Sequence, residues 1–228
     1  MPATLTFLGH SACLIETDEH AVLIDPFLTG NPGASTRPEH AADNVRCTHL
    51  ALTHGHADHV GDTLAILRRT GAPLYAAYEL CNYFGEQGVE SLEPGNPGGK
   101  IETDFGFVAF TQAFHSSSYE GRYMGMPCGL IIRIGGFTIY HAGDTALFSD
   151  MKLIGEMYMP HIALLPVGDR FTMGPEHAAR AAELIGAPTA IPIHYNTWPP
   201  IEVDLKSFKP TGVDVRALGA GESIKLGG

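Results

Sequence analysis

The chain has 228 residues, 44% of them hydrophobic and 17% charged, which is length and apolar material for a packed core and excludes a disordered or solvating polypeptide. Fourteen Lys and Arg against 25 Asp and Glu leave a net charge of −11, so nonspecific nucleic-acid binding would work against the overall field. Apolar runs such as ALLPVG after Ile162 fall well short of the ~20 residues of a membrane span. The N-terminal stretch lacks a basic leader and is interrupted at His10, which predicts a cytoplasmic protein. Cys13, Cys47, Cys81 and Cys128 form no CxxC pair and read as buried thiols.

The predicted elements begin with three short strands, Thr4–Gly9, Ala12–Thr17 and Ala21–Pro26, spaced as an antiparallel meander. THLALTH (Thr48–His54) reads as a buried strand, and GDTLAILRRTG (Gly61–Gly71) as a helix ending on basic residues and glycine. PLYAAY as strand and ELCNYFGEQG as helix repeat the pattern before the turn-rich SLEPGNPGGK, a candidate midpoint. FGFVAFTQAFH, GLIIRIGG and FTIYHAG follow as strands, then a helix over Leu147–Glu156 and the strand IALLPVG. PEHAARAAELIG is a helix opened by Pro175 and stopped by Gly186; TAIPIHY is the last strong strand, with VRALG and SIKLG weak ones. Both halves run strands first and strand–helix units later, which predicts two similar layers with helices outside, in a single domain spanning residues 1–228.

The segment LTHGHADHVGD carries the chemistry. His54, His56, Asp58 and His59 crowd one loop between a predicted strand and a predicted helix, and imidazole with carboxylate suits zinc, manganese or iron. A solvated His-rich loop would need neither a buried strand before it nor a helix after it. Asp25 follows a buried strand and precedes Pro26, where a turn carboxylate is the ordinary reading and an acceptor that fixes a ligating imidazole the alternative, the one that the family resemblance described below favours. His10 and His141 sit at strand ends as site-lining or structural histidines in equal measure, outside the ligand set. His177 reads as a solvated first-turn residue of its helix, and His20, His40, His49 and His161 belong to no motif. Tyr195 and Trp198 are candidates to line a pocket.

HxHxDH, here His54-Gly55-His56-Ala57-Asp58-His59, is similar to the signature of the metallo-β-lactamase superfamily. With LGHSA, IDPFLTGNP, HAGDT, TMGPEHAA and IPIHYNTWPP, the chain resembles the branch of metal-dependent hydrolases related to the ascorbate-phosphate lactonases. The resemblance implies an αββα four-layer sandwich of the α/β class, with two metals at one edge. It adds His115, Asp144 and His194 as ligands: His54, His56 and His115 on one metal, Asp58, His59 and His194 on the other, and Asp144 bridging. The cofactors expected are two divalent ions, zinc ahead of manganese or iron. The chemistry expected is hydrolysis of a small lactone, ester or amide by a metal-bound hydroxide, with Asp144 holding the metals and Asp58 a candidate for moving the proton. A phosphodiester is the second choice, and an iron redox enzyme or a non-catalytic metal module stand behind it. The partner expected is a small-molecule substrate, without nucleic acid or membrane, and a homo-oligomer is left open. Arg122 reads first as a solvated loop arginine and second as an anion contact.

Overall fold

The computed structural model describes residues 2–227. In the first half, β1 (Ala3–Gly9), β2 (Ala12–Glu16) and β3 (Ala21–Ile24) form the expected antiparallel meander. β4 (His49–Ala51) is followed by α1 (Ala57–Val60) and α2 (Thr63–Thr70), then β5 (Leu74–Ala77), α3 (Tyr78–Glu86) and the edge strand β6 (Leu92–Gly95). The second half opens with β7 (Lys100–Thr103), β8 (Gly106–Gln112), a small hairpin of β9 (Ser118–Tyr119) and β10 (Arg122–Tyr123), β11 (Cys128–Ile134) and β12 (Phe137–His141). It closes with α4 (Met151–Tyr158), β13 (Ile162–Pro166), α5 (Pro175–Ile185), β14 (Thr189–Ile193), β15 (Asp214–Val215) and β16 (Ser223–Leu226).

Among the described residues the large sheets run β16-β1-β2-β3-β4-β5-β6 and β15-β14-β13-β12-β11-β8-β7. Each has antiparallel pairings on one side and parallel ones on the other, so the two halves repeat one plan. Strand alternation builds the layers. Cys13 and Ile15 of β2 enter the core between the sheets with Leu130 and Ile132 of β11, while Leu14 meets Ile66, Leu80 and Phe84 of the outer helices. Ala109, Ile131 and Leu165 face Met151, Ala178, Ala182 and Ile185 on the opposite outside. The order is therefore helix, sheet, sheet, helix: the expected four-layer αββα sandwich.

Four expectations are corrected. The strand expected to reach His54 ends at Ala51, because the Thr53 N–H leaves the ladder for Asp25 Oδ1 at 2.8 Å. The helix expected from Leu147 begins at Met151, since Phe148 is held in a turn against the Phe114 ring, 5.2 Å between centroids. Turn structure in SLEPGNPGGK is confined to the residues between Gly95 and Lys100, where the chain crosses from the first sheet to the second. The His-rich loop holds one helical turn, α1, which carries Asp58 and His59.

Strand direction decides where the site lies. β1, β3, β4, β8, β12 and β14 all point the same way, so the residues after their C-terminal ends gather on one rim, the usual place for a site in such sheets. The four thiols are free and buried, and burial pushes Cys47, Cys81 and Cys128 up to about 12. No helix among the described residues is long and apolar enough to cross a membrane.

Candidate metal centre

His54 follows β4, His56 and α1 supply the rest of the motif, His115 lies beyond β8, Asp144 beyond β12 and His194 beyond β14. The structure brings all seven together. Ligand-type atoms of His54, His56, His115 and Asp144 lie within 4.8 Å of one another, and so do those of Asp58, His59, His194 and His10. Asp144 joins the two groups: its Oδ2 is 3.5 Å from His115 Nε2 and 3.0 Å from His194 Nε2, and its Oδ1 is 3.3 Å from His59 Nε2. Neither Asp144 Oδ1 nor His59 Nε2 has a hydrogen-bond partner, although both are buried. Unpaired buried polar atoms of this kind are rare in native proteins without an ion or water between them.

Neighbouring groups fix the imidazoles. Asp25, with no exposed surface, accepts the Thr53 N–H and the Thr53 hydroxyl at 2.8 and 2.7 Å and His59 Nδ1–H at 2.8 Å. Because the Thr53 hydroxyl proton is spent on Asp25, Thr53 Oγ1 accepts from His54 Nδ1, 3.0 Å away. Both rings therefore turn Nε2 lone pairs into the centre, the orienting role expected of Asp25. His54 Nε2 faces His56 Nδ1 at 2.9 Å, and His56 Nδ1 faces His115 Nε2 at 3.2 Å, so three ring nitrogens converge on one point. Gly55 lets the loop close: a Cβ there would stand 2.4 Å from Met124 Cβ. His10, Asp25 and His194 are held at positive φ of 58°, 46° and 54°, a backbone cost of roughly 1–3 kcal/mol each. Two or three buried core side chains, at roughly 1.5–3 kcal/mol each, offset it.

Burial is the largest influence on His54, His59, His194 and Asp144, and at the last three neighbouring charges overcome it. His54 is held neutral by burial and by His59 beside it. Burial would do the same to His59, yet Asp144 and Asp25 outweigh it and hold its pKa well above the ordinary range. For His194, burial is likewise overcome by Asp144, and its pKa rises to about 9. Burial opposes ionisation of Asp144, but His194 and His59 keep its carboxyl well below the usual range.

The family model for the beta-lactamase superfamily domain matches residues 20–195. The UPF0173 metal-dependent hydrolase of Geobacillus thermodenitrificans is 53% identical, covering 97% of this chain and 99% of its own, and that of Shouchella clausii is 50% identical over the same shares. The chain belongs to this family of metal-dependent hydrolases, within the metallo-β-lactamase superfamily. Among solved structures, Igni18, a metallo hydrolase from the archaeon Ignicoccus hospitalis, superposes with a TM-score of 0.89 at 38% identity, covering 100% of this chain and 99% of that one.

His10 is the residue that sequence reasoning left out of the centre of this hydrolase. It sits beyond β1, donates from Nε2 to Asp58 Oδ2 at 3.2 Å and shares a hydrogen bond through Nδ1 with Thr197 Oγ1 at 2.8 Å. Burial lowers its pKa to about 4, so both ring nitrogens serve a neutral imidazole. His141 is structural: Nε2 donates to the Ser11 carbonyl at 2.9 Å and Nδ1 accepts the Gly143 N–H at 3.2 Å, tying the loops of His10 and Asp144 together. Trp198 lies 4.8 Å from the His10 ring and lines that side, whereas Tyr195 packs into the outer core layer.

A cleft of about 970 Å³ opens beside His115, walled by Phe114, Tyr123, Met126 and Pro127. Phe114, Tyr123 and Met126 are more than half exposed there, a concentration of apolar surface at the mouth of a polar centre. Arg122 borders the same cleft but is bound by Glu86, with contacts of 2.6 and 3.1 Å. That exposed ion pair agrees with the reading of Arg122 as a solvated loop arginine.

Proposed function

We propose that this hydrolase holds two divalent ions, one among His54, His56 and His115 and one among Asp58, His59 and His194, with Asp144 between them. We infer that it cleaves a small carbonyl ester, lactone or amide with an apolar arm. One observation carries the reading: two nitrogen-rich clusters share a buried carboxylate whose Oδ1, and the His59 Nε2 facing it, lack hydrogen-bond partners. The donor set suits zinc first, then manganese or iron. When bound, such a pair supplies Lewis acidity and a water made acidic near neutral pH.

The chain's own residues do the rest. Asp144 provides the negative charge that lets two dications sit side by side. Asp25 and Thr53 hold His59 and His54 in the tautomers that present lone pairs. Asp58 has a quarter of its side chain exposed and accepts from His10 Nε2 at 3.2 Å, so among the ligand carboxylates it is the candidate for moving a proton to the leaving group. His10 steadies that carboxylate. The apolar walls of the cleft favour an aliphatic or aromatic substituent on the substrate. The buried thiols, with their raised pKa values, are poor nucleophiles, which supports direct attack by water.

The test is a hydrolase panel with zinc-loaded and chelator-treated protein, followed by single-turnover hydrolysis of the best substrate in ¹⁸O-labelled water. Metal-dependent turnover of carbonyl substrates with label in the first-formed product is expected. A trapped acyl-enzyme would overturn the mechanism, and turnover of phosphodiesters alone would overturn the substrate class.

A further inference from the structure

Three strands that deliver residues to the metal centre begin at a second, smaller cluster on the opposite rim. His20 precedes β3, which leads to Asp25; His49 opens β4, which leads to His54; the Asp104–Phe105 turn precedes β8, which leads to His115. His49 is the first residue of β4, whereas His54 lies beyond its last, so the two stand at opposite ends of that strand. Ligand-type atoms of His20, His49 and Asp104 all lie within 4.8 Å of one another. His49 Nε2 and His20 Nδ1 approach the same oxygen, Asp104 Oδ1, at 3.1 and 3.8 Å. Glu19 Oε2 stands 3.8 Å from the other nitrogen of His20.

The hydrogen-bond pattern sets the direction of the lone pair on His49. The Thr48 hydroxyl donates to the Ala21 carbonyl at 3.1 Å and accepts the Ala21 N–H at 2.8 Å, so towards His49 Nδ1, 2.9 Å away, it is an acceptor. The ring proton therefore resides on Nδ1, and the Nε2 lone pair faces the Asp104 carboxylate. Two acceptors 3.1 Å apart repel unless a positive charge sits beside both. Phe105, buried, stands edge-on to His49 with centroids 4.7 Å apart and 6.0 Å from His20, which packs both rings in place.

We propose that His20, His49 and Asp104 form a separate site for a borderline divalent cation such as Zn²⁺ or Ni²⁺, with water completing the coordination. Two imidazole nitrogens and one carboxylate oxygen select zinc or nickel over magnesium or calcium. The side chain of Asp104 is 65% exposed, which leaves room for the waters. His49 belongs to the first sheet, His20 to the turn before its strand β3 and Asp104 to a turn of the second, so a cation here fastens the two sheets at the end remote from the metal centre. At a hundred-fold excess over its Kd, it raises Tm by roughly 5–10 °C.

The probe is zinc itself, added by equilibrium dialysis to chelator-stripped wild type, His49→Gln and Asp104→Asn. Both variants should retain one equivalent fewer than wild type and show a smaller zinc-induced rise in Tm. Asp104→Asn, in an exposed turn, should match wild-type Tm in chelator, which separates loss of the ion from loss of the fold. His56→Gln lowers zinc uptake at the central cluster alone, so its result and the His49 result stand or fall separately. Equal zinc uptake by wild type, His49→Gln and Asp104→Asn would overturn the site, and displacement of the extra ion by excess magnesium would overturn its assignment to a borderline cation.

Discussion

Asp25→Asn changes one atom at a place where three donors converge. The carboxylate takes Thr53 N–H on Oδ1 and both the Thr53 hydroxyl and His59 Nδ1–H on Oδ2, all at 2.7–2.8 Å. If the new amide nitrogen replaces Oδ2, it meets two donors; if it replaces Oδ1, it meets one. The second orientation wins, leaving the Thr53 N–H and the amide N–H facing each other in a site with no exposure. At about 1–3 kcal/mol for each unsatisfied buried donor, the loss is roughly 2–6 kcal/mol. For a chain of this size, about 3 kcal/mol corresponds to a fall in Tm of roughly 6–12 °C. The weaker hold on His59 should reduce zinc affinity by about 10–100-fold, or about 1.4–2.7 kcal/mol. Zinc competition against a chromophoric chelator and thermal unfolding in excess chelator measure the two effects independently. Wild-type zinc affinity in the variant would refute the orienting role, and an unchanged Tm would refute the hydrogen-bond accounting.

Asp144→Asn should remain folded by circular dichroism yet retain at most one equivalent of metal at the central clusters, since the amide keeps the shape but not the charge. Gly55→Ala drives a methyl group into Met124 and Ser117, so a stability loss of about 1–3 kcal/mol in denaturant titrations and weaker zinc retention are expected; unchanged values would show that the loop closes without this contact. Arg122→Ala breaks an exposed pairing with Glu86 and a contact over the Tyr83 ring, so Tm should move by no more than about 2–4 °C and KM for an anionic substrate not at all, and a rise in that KM would restore Arg122 as an anion contact. Phe114→Ser and Tyr123→Ser should raise KM for substrates with apolar arms by several-fold while sparing the smallest ones; equal effects on both would remove the cleft from substrate binding.

Much of this was legible in the sequence because it is local. His54, His56, Asp58 and His59 lie within six consecutive residues, and strand alternation around Leu14 and Ile131 encodes which side of a sheet each faces. Asp25 was readable only through the family resemblance, since before Pro26 the residues alone fit a turn carboxylate equally well. His10 was not, since its partners Asp58 and Thr197 lie 48 and 187 residues away and only the folded rim joins them. The pairing of Arg122 with Glu86 is likewise set by the β9–β10 hairpin folding back over the end of α3. The late start of α4 depends on aromatic packing between Phe148 and Phe114, which periodicity does not record.

The central claim is that one buried carboxylate, Asp144, joins two metal positions. Crystals of the zinc-loaded protein, with diffraction recorded above and below the zinc absorption edge, test it directly. Two anomalous peaks are predicted on the rim beyond β4, β12 and β14, one against His54, His56 and His115 and one against Asp58, His59 and His194, with an Asp144 oxygen adjoining both. A single peak at full zinc occupancy, or two peaks without Asp144 between them, would contradict it.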